Sequence, residues 1–264
     1  MMHGYVKVVY AIEPPRLSKP YMICGLPGSG HVGKLAVDHL VQELRAIHLI
    51  DIYSYSFPPQ VMIRENGCLE LIKNSIYYWQ GNTNGKSTDI LFLTGDAQPV
   101  TPEGEYILAE ELINIAERFN VSMVFTLAAY ITGVFVDKPK VYVTATDENL
   151  LQELKGKGLA IMDNGSITGM NGLILGIAKI KGIKGVCLLG ETSGYVVDAK
   201  ASQAVLKYLL DYVNLRVDMS SLERRAKDTE IIIKALEQQM SRSTNVLQEQ
   251  QIEHSKDKEL GYIS

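Results

Sequence analysis

Eight of the 22 glycines in this chain of 264 residues fall within Gly165–Gly194. At that density the backbone itself is the constraint, because glycine alone reaches positive φ freely and lets a second backbone approach closely. Two apolar segments lie between these glycines. Leu173–Ile180 is apolar nearly all round, the pattern of a buried helix. Gly185–Gly190 encloses Val186, Cys187, Leu188 and Leu189, a continuous run suited to a strand covered on both faces. Glu191 and Thr192 then stand where that strand should end, and open α/β sheets bind ligands at that end. The stretch is therefore a binding crevice or a site of very tight packing, and its residue types favour packing.

The rest of the chain alternates strand and helix signals. Tyr5–Ile12, Tyr21–Leu26 and His48–Tyr55 read as strands, with Val32–Ile47 an amphipathic helix between the last two. Asn66-Gly67 predicts a hairpin between Val61–Glu65 and Cys68–Asn74. Ser75–Gln80 is a further strand, followed by a polar loop over Gly81–Thr88. A second succession opens with the strand Ile90–Thr94 and the loop Gly95–Pro99. Thr101 and Pro102 form an N-cap and first-turn pair for a helix reaching about Phe119. Val121–Leu127 is a strand and Ala128–Pro139 a loop carrying Tyr130 and Gly133. After the strand Val141–Thr146, Asp147 caps the short helix Asn149–Lys155, and Asp198–Val213 is a long helix. This alternation predicts an α/β fold, a three-layer α/β/α sandwich on a mostly parallel sheet, with the hairpin as an antiparallel addition.

Composition changes at residue 219. Residues 1–218 form the α/β unit, and 219–247 an amphipathic helical extension with a narrow apolar stripe (Leu222, Thr229, Ile232, Ile233, Leu236, Met240). Residues 248–264 read as a flexible polar tail ending on the apolar cluster Leu260, Tyr262, Ile263 with Ser264. A hydrophobic content of 46% supports a large core, and the net charge of −4 offers no basic field for nucleic acid or an anionic membrane. The apolar runs are too short for a membrane span. Cys24, Cys68 and Cys187 are odd in number and lack metal-ligand spacing, so buried free thiols in a reducing, cytoplasmic setting are expected, with no secretory signal at Met1–Tyr10.

The chemistry-bearing motifs each carry a plain reading. Gly28-Ser29-Gly30-His31-Val32-Gly33 fits G-x-G-x-x-G between a strand and a helix, and Asp51 lies near the spacing of a ribose-binding acid. With Lys34 the segment nearly makes a P-loop, but Leu35 stands where a Mg²⁺-binding hydroxyl is needed. Glycine-rich turns of this kind also serve backbone packing, and that reading leads. Asp96, Glu103, Glu105 and Glu191 sit near strand ends, yet their spacing brings no pair together for acid–base work. The histidines lack metal-ligand spacing, and Ser29 lacks the setting of a nucleophile elbow. No catalytic, cofactor or metal site is therefore expected.

Four segments taken together resemble the proteasome assembly chaperone 2 family and its archaeal members. They are Gly25–Leu40, Gly95–Tyr106, Leu127–Gly133 and Thr168–Tyr195, in that order along the chain. One departure is Ala128-Ala129-Tyr130, where the family pattern has glycine before the tyrosine. The resemblance implies a nucleoside-phosphorylase-like fold that has become a homo-oligomeric scaffold. It implies a role in assembling proteasome core particles through their α-subunits. Proteasome α-ring pockets receive chains ending hydrophobic–Tyr–any residue, which Leu260, Tyr262, Ile263 and Ser264 match approximately, so these are the expected partner-binding residues. The competing reading is a nucleotide- or nucleoside-binding enzyme, either phosphorylase-like or dependent on ATP or a dinucleotide.

Overall fold

Continuous apolar runs need cover on both faces, and here they occupy the middle of a large sheet. The structure, a computed structural model, describes residues 6–83 and 86–235. In chain order its elements begin with β1 (Val6–Tyr10), β2 (Tyr21–Cys24), α1 (Val32–Glu43), β3 (Ile47–Ser54), β4 (Val61–Ile63) and β5 (Leu69–Leu71). There follow β6 (Asn74–Thr83), β7 (Lys86–Gly95), α2 (Pro102–Arg118), β8 (Met123–Ile131), β9 (Val141–Ala145) and α3 (Glu148–Gly156). Last come β10 (Ala160–Ile161), α4 (Met170–Ile180), β11 (Lys184–Thr192) and α5 (Ala199–Val213). A helix over 220–235, α6, closes the described chain.

Among the described residues, nine strands form one sheet in the order β1-β3-β6-β7-β2-β8-β11-β9-β10. Its centre, β7-β2-β8-β11, is parallel throughout. The flank β1-β3-β6-β7 is antiparallel, and on the other side β9 runs antiparallel to β11 and parallel to β10. One face carries α2 and α4 over a cluster that includes Met22, Leu91, Leu112 and Ile174. The other face carries α1, α3, α5 and α6 over Ile23, Phe92, Phe125 and Leu188. Adjacent residues of one strand, such as Met22 and Ile23, thus enter opposite cores, which explains why these strands read as unbroken apolar runs.

Local signals set several element ends. Thr101 Oγ1 accepts from Gly104 N at 3.2 Å, and Asp147 Oδ1 accepts from Leu150 N at 2.9 Å. The Asn66-Gly67 turn joins β4 and β5, with Gly67 at φ +80° and Asn66 Oδ1 accepting from Cys68 N at 2.9 Å. That hairpin forms a small sheet of its own.

Four expectations need correction. The polar loop expected over Gly81–Thr88 is largely strand, with Gly81 opposite Thr88 and Thr83 opposite Lys86, because main-chain ladder bonds form regardless of side-chain polarity. β8 continues to Ile131, so Tyr130 lies on a strand and not in a loop; pairing with β11 persists to Thr192. Helix α4 is one-sided: Met170, Ile174, Leu175 and Ala178 are buried, while Ile180 at its end is 86% exposed. Finally, Cys24 and Cys187 are buried free thiols, but Cys68 in the hairpin is exposed.

Candidate functional site

The turn after β2 explains its glycines by contact. A Cβ on Gly25 would stand 2.1 Å from the Gly33 carbonyl oxygen, and one on Gly33 would stand 2.0 Å from the Leu127 carbonyl oxygen. These two positions let α1 settle directly on its own leading turn and on β8. Gly30 takes φ +62° and His31 φ +51°, carrying the chain through a short 3₁₀ turn (Ser29–His31) into α1. Gly28, by contrast, is extended. Lys34 Nζ pairs with Asp38 at 2.9 Å and donates to Thr94 Oγ1 at 3.4 Å, so its charge is already matched within the fold.

Asp51 is not where a ribose-binding acid would be. It lies on β3, which β6 and β7 separate from β2. Its carboxylate accepts from Ser75 Oγ at 2.7 Å and Lys73 Nζ at 2.9 Å, and His48 Nε2 lies 2.8 Å away. Burial pushes its pKa up, but the bonds from Ser75, Lys73 and His48 outweigh this and hold it below the usual carboxylate range. The spacing from the glycine turn matched a dinucleotide fold only because the chain makes an antiparallel excursion at this point.

At the carboxyl ends of β2, β8 and β11 the fold opens into a cavity of about 690 Å³. The glycine turn forms one side, and the segment leading into α4 forms the other. Gln98 clamps the two: its Nε2 donates to the Pro27 carbonyl, and its Oε1 accepts from Met170 N at 3.0 Å. Gly169 caps α4 at φ +73°, where a Cβ would stand 3.0 Å from Gln98 Oε1 and 3.8 Å from Glu105 Oε1. Tyr130 lines the cavity from β8, its ring 4.7 Å from that of Tyr142. Tyr142 in turn donates to Glu191 Oε1 at 3.1 Å, and that bond holds the phenol pKa above its usual range.

The carboxylates singled out from sequence are dispersed among different partners. Asp96 accepts from Lys73 N at 3.2 Å and Arg64 Nη2 at 3.4 Å. Glu191 is buried and also accepts from Lys140 N at 2.9 Å. Glu103 and Glu105 lie in the first turn of α2, and of the four carboxylates only Glu105 lines the cavity. Ser29 is exposed at the same cavity. Among the described residues, no three His, Cys, Asp or Glu groups cluster to hold a metal, and no helix is long and apolar enough to cross a membrane. Leu260, Tyr262, Ile263 and Ser264 lie outside the described residues. Sequence reasoning missed Gln98 and the packing of Tyr130 on a Tyr142 that is bonded to Glu191. Gln98 had a signal, its place in the loop at the carboxyl end of a buried strand.

Residues 22–237 match the PAC2 family. An uncharacterized protein of Methanocaldococcus jannaschii is 35% identical over 237 residues, 89% of each chain. Among solved structures, the chain is similar to Pyrococcus furiosus PbaB, described as an archaeal proteasome activator. It shares 37% identity with PbaB at a TM-score of 0.82, covering 88% of this chain and 98% of that one. It is also similar to Pyrococcus furiosus PbaA, described as an archaeal homolog of proteasome-assembly chaperone. There the identity is 28% and the TM-score 0.72, covering 93% of this chain and 97% of that one.

Proposed function

The chain belongs to the PAC2 family, and from that premise we propose that it is a proteasome assembly chaperone or proteasome-binding activator, acting in the cytoplasm as a homo-oligomer on α-subunits of the core particle. One observation carries the reading: 37% identity and a TM-score of 0.82, over 88% of this chain, to a protein described as a proteasome activator. The candidate site is consistent with a scaffold and not an enzyme. Gly25 and Gly33 of its turn are occupied by backbone packing, and Asp96 and Glu191 are tied to separate main-chain and side-chain partners. In this proposal Leu260, Tyr262, Ile263 and Ser264 supply a docking segment for the α-ring.

The test is co-purification of the tagged full chain with separately expressed proteasome α-subunits, with the mass of the free protein measured by light scattering. The expected result is an oligomer that retains the α-subunits through washing. A monomer that retains none would remove both parts of the proposal.

A further inference from the structure

The cavity beside the glycine turn has no task in the scaffold reading, yet it is built as a ligand site. We propose that it binds a small molecule that presents N–H donors on an apolar body, an organic amine or a neutral nitrogen heterocycle, and that it does not bind phosphate. This goes beyond the proteasome role and does not depend on it.

Position is the first argument. The helix after β2 packs on one face of the sheet, and the helix after β7 packs on the other. β2 and β7 are adjacent and parallel, so the chain diverges at their carboxyl ends and leaves a crevice, the place where open α/β sheets bind ligands. Its volume of about 690 Å³ suits a small organic molecule. Preorganisation is the second argument. Gln98 spends both ends of its amide joining the walls, and Tyr130 packs on a Tyr142 ring fixed by Glu191. Groups held this way lose little freedom when a ligand arrives.

Charge decides the ligand class. Neither Lys, Arg nor His lines the cavity among the described residues. Lys34 pairs with Asp38, and the leading N–H of α4 donates to Gln98. Glu105 also stands beside the α4 N-terminus, so that helix end faces a carboxylate, which repels a second anion. The Glu105 carboxylate has no hydrogen bond or ion pair among the described residues, and it is the one charged side chain of the lining. A half-buried acceptor without a donor, in a cavity also lined by Leu26, Leu127 and Leu189, matches a ligand with an N–H group on an apolar frame.

The experiment is calorimetric titration of the full chain with tryptamine, adenine and inorganic phosphate, repeated on Glu105→Gln and on Ser29→Trp, which narrows the mouth. Tryptamine represents the cationic source of N–H donors and adenine the neutral one. Saturable binding of either at one site per chain is expected, weakened about tenfold or more by Glu105→Gln and abolished by Ser29→Trp. Three results would overturn the assignment: no binding of either probe at millimolar concentration, binding that both variants leave unchanged, or phosphate binding in their place. Melting temperatures of the variants without probe establish that each is folded before its titration is read.

Discussion

At the scale of single residues, the glycine turn shows how one motif supports two readings that only contact geometry separates. Gly28 and Gly33 occupy equivalent-looking positions of G-x-G-x-x-G, but their surroundings differ. A Cβ at position 33 meets the Leu127 carbonyl at 2.0 Å, and main chain in a central strand cannot yield. A Cβ at position 28 finds only Gln98 Nε2, at 3.7 Å, and the residue is extended, a conformation any residue adopts. Gly33→Ala improves helix propensity by about 1 kcal/mol, but the clash forces α1 off β8 and should cost about 3 kcal/mol or more. Gly28→Ala should fall within about 0.5–1 kcal/mol of the parent. Urea midpoints of the two variants measure the difference, and equal midpoints would mean that the turn relaxes more easily than its contacts imply.

At the scale of elements, the composition break at residue 219 does not coincide with a break in packing. Leu222 is 1% exposed and Ala226 5%, both within the same core cluster as α1 and α5. Just before them, His39 of α1 contacts the Asp218 carbonyl at 2.9 Å and Ser221 Oγ at 3.1 Å. Further along the stripe read from sequence, Thr229 is still buried, but Ile232 is 54% exposed, so the stripe begins to leave the domain within the described helix. Ending the chain after Asp218 should therefore lower the stability by about 2–4 kcal/mol, through the loss of one buried Leu and one buried Ala from an otherwise filled cluster. A chain ended after residue 235 should melt with the parent. Thermal unfolding of the two truncations decides the point, and identical transitions would show that α6 contributes nothing to the fold. The same contrast marks what was legible. Caps at Thr101 and Asp147, the Asn66-Gly67 hairpin and the buried central strands follow from local chemistry, and sequence displays local chemistry directly. The place of Asp51 three strands from β2 and the two-ended use of Gln98 depend on partners distant in the chain. No window of sequence contains those partners.

At the scale of the whole molecule, the question is which surface meets the proteasome in the proposed role. A docking segment at Leu260–Ser264 would act in every copy of a homo-oligomer, so a ring of α-subunits would be engaged several times at once. Under that arrangement each contact can be weak, and removing the aromatic anchor from all copies multiplies the loss. In the proposed role Tyr262 would be the anchor: an aromatic body to fill a pocket and a hydroxyl to remain satisfied at its rim. Tyr262→Ala should weaken binding of the oligomer to α-rings by tenfold or more, roughly the effect of one interface anchor, while melting temperature and oligomer mass stay unchanged. Immobilised α-rings, titrated with parent and variant at one salt concentration, give the comparison directly. Equal affinities would move recognition to the described surface. There the β4–β5 hairpin turns Val61, Ile63, Leu69 and Leu71 to one side at 48%, 72%, 67% and 62% exposure. An apolar quartet of that kind is lost by Ile63→Asp with Leu69→Asp, so the same titration on that double variant assigns the contact to the hairpin or to the segment around Tyr262. If binding survives both sets of substitutions, neither surface is the one that reads the α-ring.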